Sequence, residues 1–212
     1  MQKKFNNMKI LTLDNSDYLT HIPDVSGLPN LEKLSFRNCH SLITIHNSVG
    51  HLNKLEILNA KECIKLESFP PLQLASLKKL ELSGCKSLKR FPELLGNMTN
   101  IEEIELQQIS IEELPFSFGN ISELRRLTIS CVNFKILPEC LSECHHLLEV
   151  NVNDCESLEE IRGIPPNLEK LSARGCESLS PSSRRMLLSQ VCCCFIALVF
   201  DIFYSISCIY NS

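Results

Sequence analysis

The sequence predicts an α/β-type repeat solenoid: a horseshoe of short parallel strands on its concave side, joined by mostly irregular convex segments. Three observations carry that reading. LEKLSFRNCHSL at 31–42 returns as LEKLSARGCESL at 168–179, with nine of twelve positions identical. The core of that stretch, L-x-x-L-x-L-x-x-C, recurs as LEILNAKEC (55–63), LKKLELSGC (77–85) and LLEVNVNDC (147–155). Weaker copies, MKILTLDNS (8–16), IEEIELQQI (101–109) and LRRLTISCV (124–132), fill the gaps in register. Units therefore begin at Met8, Leu31, Leu55, Leu77, Ile101, Leu124, Leu147 and Leu168, eight in all, spaced by 21 to 24 residues.

Within each unit the fourth and sixth positions, Leu34 and Phe36 in the second, are apolar between polar neighbours. That alternation is a short strand with one face turned inward. Stacking the units pairs these strands into one parallel sheet at about 4.8 Å per unit, so eight strands make a sheet about 35 Å long. Each unit buries its apolar edge chiefly against its neighbours. The second half of a unit often ends in an apolar residue and proline: Ile22-Pro23, Phe69-Pro70, Phe91-Pro92, Leu114-Pro115, Leu137-Pro138. Proline has no N–H and resists helix continuation, so the return path is expected to be extended or irregular. Pattern and period together are those of the leucine-rich repeat. Ser180 can cap and Pro181 can open a short closing helix. The chain thus divides into a solenoid at 1–180, a capping helix at 181–190 and a hydrophobic tail at 191–212. Little precedes the first unit, so its open edge is expected to fray.

The tail, VCCCFIALVFDIFYSISCIY at 191–210, carries one charge, Asp201. It is long enough to span a bilayer, although a central aspartate costs about 2.5–3.5 kcal/mol on insertion. Three readings compete: translated intron sequence, since valine codons begin with the GT that opens introns; a membrane anchor with lipidated cysteines; and a buried helix.

Composition is that of an ordinary globular chain, 44% hydrophobic and 22% charged, with a net charge of −4. No global field points to nucleic acid or to an anionic membrane. The basic start, MQKKFNNMKILTLDNSD, has too short an apolar run for a signal peptide. Twelve cysteines would suggest a disulfide framework in a small secreted chain. Five of them, Cys39, Cys63, Cys85, Cys155 and Cys176, instead occupy the ninth position of their units, where a small side chain turns inward to bond neighbouring backbone. Stacked along an axis, they cannot surround a metal as four zinc ligands must. Cys140-Leu-Ser-Glu-Cys144-His145-His146 looks more like a metal motif, but Cys144 aligns with the apolar Leu52, Met98 and Ile121 and is expected in the core. Phosphate-binding, nucleophile-elbow and zinc-protease motifs are absent. No catalytic residue, metal or cofactor is expected, and the carboxylates of Ile101-Glu-Glu-Ile-Glu105 read as a solvated face.

Candidate binding residues follow from the strand alternation, because third, fifth, seventh and eighth positions should face outward from the concave sheet. They are Lys33 and Arg37, Asn59 and Lys61, Lys79 and Glu81, then Glu103, Glu105 and Gln107. Arg126 and Thr128, Glu149, Asn151 and Asn153, and Lys170 and Arg174 complete the set. The face runs from basic through acidic to mixed, which suits a protein partner read by charge and hydrogen bonding.

Finer features sharpen this. Cys39-His-Ser-Leu42, Cys85-Lys-Ser-Leu88 and Cys155-Glu-Ser-Leu158, with Phe91-Pro-Glu-Leu-Leu-Gly-Asn-Met98 and Gly163-Ile-Pro-Pro-Asn-Leu168, resemble the repeats of plant intracellular immune receptors. The resemblance is to the Toll/interleukin-1-receptor-like, nucleotide-binding, leucine-rich-repeat disease-resistance proteins, over about residues 1–190. It implies a cytoplasmic or nucleocytoplasmic region that recognises a pathogen effector or a guarded host protein. It also implies that the repeats restrain a nucleotide-binding domain, in cis or in trans. Neither a phosphate-binding loop nor a signalling domain is found here, so the sequence reads as a fragment or truncated member. The alternatives are a general repeat scaffold, adaptor or decoy without nucleotide switching, membrane-associated if residues 191–210 insert. A ubiquitin-ligase subunit would need an F-box-like segment, for which the residues before Met8 leave no room.

Overall fold

The computed structural model describes residues 5–191, Asn97 excepted. In chain order its strands are β1 (Ile10–Thr12), β2 (His21–Ile22), β3 (Lys33–Ser35), β4 (Thr44–Ile45), β5 (Ile57–Asn59) and β6 (Lys79–Glu81). There follow β7 (Glu103–Glu105), β8 (Arg126–Thr128), β9 (Ile136–Leu137), β10 (Glu149–Asn151), β11 (Glu160–Ile161) and β12 (Lys170–Ser172), then helix α1 (Pro181–Val191). One parallel sheet, ordered β1-β3-β5-β6-β7-β8-β10-β12, takes one strand from each unit. Register is strict: fourth positions pair as Leu11, Leu34, Leu58, Leu80, Ile104, Leu127, Val150 and Leu171. From Leu34 onward these side chains lie buried in a single core that runs the length of the stack. The predicted solenoid is the fold observed.

Two ladders lock each unit to the one before it. At the eighth position the backbone enters the left-handed region in every unit: Asn15, Asn38, Glu62, Gly84, Gln108, Cys131, Asp154 and Gly175. This turns the chain off the sheet and aims the ninth side chain inward. The expectation that eighth positions are simply outward-facing is therefore corrected, because these residues form the turn. Behind them, thiols donate to sixth-position carbonyls of the preceding unit: Cys39 to Leu13 at 3.2 Å, Cys63 to Phe36 and Cys85 to Ala60 at 3.1 Å, Cys155 to Ile129 at 3.1 Å and Cys176 to Val152 at 3.0 Å. Fifth and sixth units carry Ile109 and Val132 at that point and fill it with apolar volume.

The convex side is mostly irregular, as the prolines require. It holds 3-10 turns at Asn47–His51, Phe116–Asn120 and Glu139–Glu143, the last two beginning directly after Pro115 and Pro138. Short parallel pairs β2–β4 and β9–β11, and a single bridge between Leu72 and Leu94, tie some return paths together. Gly50 marks one close approach, since a Cβ there would overlap the Pro71 carbonyl oxygen.

At the far end Ser180 Oγ accepts from the Ser183 N–H at 3.2 Å, capping α1. The helix buries Leu187 against the last unit, and Ser183 Oγ accepts from the Ile161 N–H at 3.1 Å. No helix among the described residues is long and apolar enough to cross a membrane. The tail readings concern residues that, from 192 onward, lie outside those described.

Candidate functional site: the concave face

Every candidate residue chosen from the sequence sits on the sheet or on the turn that leaves it, in three parallel rows. The third-position row runs Ile10, Lys33, Ile57, Lys79, Glu103, Arg126, Glu149 and Lys170. The fifth-position row runs Thr12, Ser35, Asn59, Glu81, Glu105, Thr128, Asn151 and Ser172. Arg37, Lys61, Gln107, Asn153 and Arg174 stand just beyond, at seventh positions.

Bracing consumes several of the polar candidates. Asn59 Oδ1 accepts from the Lys61 N–H at 2.9 Å. Asn151 Oδ1 accepts from the Asn153 N–H at 2.9 Å and from Ser130 Oγ at 3.3 Å. Asn153 Oδ1 accepts from Ser172 Oγ at 2.7 Å and the Arg174 N–H at 2.8 Å. Asp14, which the sequence did not single out, does the same in the first unit for Ser35 Oγ at 2.5 Å and the Arg37 N–H at 2.8 Å. These carboxamides and this carboxylate hold the sheet edge and the following turn, and their Oδ1 atoms are already engaged. Lys33, Arg37, Gln107, Arg126, Lys170 and Arg174 are exposed.

The centre of the face is a charge cluster. Lys79 Nζ lies 2.6 Å from Glu105 Oε1 and 3.5 Å from Glu103 Oε2, and Arg126 Nη2 lies 3.3 Å from Glu103 Oε2. The expectation of a fully solvated acidic face fails here. Glu81 is only 6% exposed, and its Oε1 meets no donor. It is enclosed between its register partners Asn59 and Glu105, a degree of burial that alternation alone cannot reveal. Ser35 and Ser83, also expected outward, are likewise buried. Burial first, and then the Glu105 charge, push the Glu81 carboxyl above the usual carboxylate range. For Glu105 burial pushes the same way, but hydrogen bonds from Lys79 and Glu81 prevail and hold it below.

Toward the C-terminal end the face opens into a shallow cavity of about 220 Å³. Arg126, Thr128, Glu149, Asn151, Asn153 and Lys170 line it, over a floor of Leu127 and Val150. Lys170 and Glu149 face each other across its rim at 3.9 Å. A larger, open depression of about 750 Å³ lies on the return paths of the third and fourth units, between Glu67, Lys86, Lys89, Arg90 and Glu93. It is remote from the concave rows.

Cys144 is buried, as its alignment predicts, while His145 and His146 are exposed, with His146 Nδ1 3.1 Å from Glu123 Oε2. Among the described residues no group of three His, Cys, Asp or Glu side chains converges as metal ligands would.

Comparison with known proteins accords with this geometry. A family model described as "Leucine-rich repeat region" matches residues 1–200. The chain is 36% identical over 167 residues to the Arabidopsis thaliana protein SUPPRESSOR OF npr1-1, CONSTITUTIVE 1, covering 78% of this chain and 11% of that protein. It is 31% identical over 194 residues to the TMV resistance protein N of Nicotiana glutinosa, covering 89% and 17%. Disease resistance protein RPP4 of Arabidopsis thaliana is 34% identical over 200 residues, covering 82% and 17%. The chain thus spans between 11% and 17% of these relatives. Among solved structures, the leucine-rich repeat domain of the type III effector XopL superposes with a TM-score of 0.65 at 23% identity, covering 89% of this chain and 75% of that one, a likeness of fold. The chain belongs to the leucine-rich repeat family, and its repeats are related to those of plant disease-resistance proteins.

Proposed function

We propose that this chain is the protein-recognition region of an intracellular plant innate-immune receptor, and that its concave face binds a pathogen effector or a guarded host protein. The observation that supports this most is the face itself: charged third and seventh positions such as Lys33, Arg37, Arg126 and Lys170 are exposed on a sheet whose braced Asn residues fix their spacing. Rigid presentation lowers the ordering cost of docking. The relatives whose names declare disease resistance supply the biological direction. In the same reading the repeats restrain a nucleotide-binding domain, in cis or in trans, and work in the cytoplasm or between cytoplasm and nucleus. Chemistry is left to other modules.

The test is a charge reversal by face. Lys33→Glu, Arg126→Glu and Lys170→Glu together should abolish capture of the cognate protein from infected leaf extract. The convex reversal Glu112→Lys should leave capture intact. Loss with the convex variant and retention with the concave one would overturn the assignment.

A further inference from the structure

We propose that the centre of the concave face, over Glu81 and Glu105, is a socket for an arginine side chain of the protein partner, and that docking this arginine releases a proton. The inference rests on the concave recognition reading and adds the chemistry of its anchor.

Three carboxyl groups, Glu81, Glu103 and Glu105, share the cluster with two direct ion-pairing cations, Lys79 and Arg126. Glu81 is the member left over. It is buried to within 6% of full enclosure, yet its Oε1 has no donor. A buried acceptor left without a donor forfeits the hydration it had in the unfolded chain. Such a group, on a sheet whose other fifth positions apart from Glu105 are Ser, Thr and Asn, is open to a donor brought by a partner. Glu105 lies directly beside it in register on the next strand, about 4.8 Å away across the sheet. Two carboxylates so close in a dry site do not both ionise.

The groups facing Glu81 are Lys79 on its own strand, Lys61 beyond β5, and Glu103 and Glu105 on β7, while its β5 neighbour Asn59 is uncharged. With its titration raised, Glu81 in the free protein holds a proton to higher pH than an ordinary carboxyl does, and when protonated it gives its hydrogen bond to the Glu105 carboxylate. Lys79 is the resident cation. It is part-exposed, and Glu103 already lies 3.5 Å from it, so it can turn wholly to Glu103 and vacate Glu105. A guanidinium is planar and carries five donors in a fork that meets two carboxylates side by side, which a lysine ammonium does not match. With that cation in place the second carboxylate becomes affordable. Glu81 then ionises, its Oε1 gains a donor, and the proton passes to solvent.

The experiment uses the 212-residue chain and a blocked hexaarginine peptide as probe. Calorimetric titration at about pH 5, near the ordinary carboxyl range, in two buffers of different ionisation enthalpy, counts the protons exchanged. The expected result is binding with net proton release that fades as the pH is raised. Glu81→Gln should abolish the release and weaken binding about tenfold, and Glu105→Gln should weaken it similarly. Glu112→Gln on the convex side should change neither, and hexalysine should bind less tightly. No binding, no proton release by the wild type, or equal effects from Glu112→Gln would each overturn the socket. The face-reversal result on the cognate partner would be unaffected by any of these, so the two readings fail separately. Folding of the key variant is checked by its melt. A carboxyl whose folded-state titration lies above its unfolded one contributes stability at low pH that is lost as pH rises through the folded value. Glu81→Gln should therefore melt at or above the wild type at about pH 8, with the advantage shrinking toward about pH 4.

Discussion

At the ninth position of a unit a side chain must be small, fill apolar space and still satisfy a backbone carbonyl one unit away. A thiol meets all three demands. Burial dominates its titration, pushing Cys85 and Cys155 up to about 12 and Cys176 up to about 11. Since the thiolate is the reactive form, these groups are inert while the solenoid is folded. Cys131, in the turn position of the sixth unit, is exposed. Iodoacetamide at about pH 8, followed by peptide mass mapping, should modify Cys131 first within residues 5–191 and leave Cys63, Cys85 and Cys155 untouched until denaturant is added. The ladder position was legible because five cysteines repeat in register. The turn before it was half legible: Asn15, Asn38, Gly84, Asp154 and Gly175 are types that tolerate positive φ, but Glu62 and Gln108 hide the rule by adopting it anyway. Glu81 was misjudged for a different reason. Alternation fixes which face a side chain leaves from, and nothing in it says how far its neighbours lean over.

At the scale of one unit, strand, turn and return path are coupled through very few atoms. Asn153 illustrates this: one oxygen serves a hydroxyl and a backbone N–H of the next unit. Asn153→Ala should cost about 0.5–1.5 kcal/mol, read as a lower denaturation midpoint at unchanged slope, because the Ser172 hydroxyl and the Arg174 N–H exchange that acceptor for water. On the return path Gly50→Ala should be worse than its small volume suggests. Its added carbon meets the Pro71 backbone, not a movable side-chain tip, so two units must part to admit it. A drop in melting temperature larger than that of the exposed control Gln73→Ala would confirm the close approach. Strands were readable from the sequence because each presents an inward pair of apolar residues. The return paths were readable only as irregular, since their proline signals exclude helix without choosing between 3-10 turns and extended pairs.

Over the whole molecule the two ends differ. The last unit is covered by α1 and its buried Leu187, while β1 pairs with β3 on one side alone among the described residues. Ile10 is 63% exposed, and Leu11 and Leu13 are only partly covered. In a stack stabilised by nearest neighbours, opening propagates from the weaker end. Amide exchange in the monomer should accordingly be fastest within 8–30 and slowest within 77–106; uniform protection would contradict it. The two sides of the coil also differ in continuity. Eight strands run unbroken along the concave side, but on the convex side no backbone hydrogen bond joins the return paths of the fourth, fifth and sixth units among the described residues. There side chains make the link: Ser110 Oγ donates to the Lys86 carbonyl at 2.6 Å, and Phe91 meets Phe118 edge-on at 5.4 Å. Mechanically this is a leaf spring, stitched by backbone along one side and only by side chains at mid-length along the other. Bending strain should gather at that softer seam, so that the curvature of the coil tightens or relaxes about its middle more readily than along its arms.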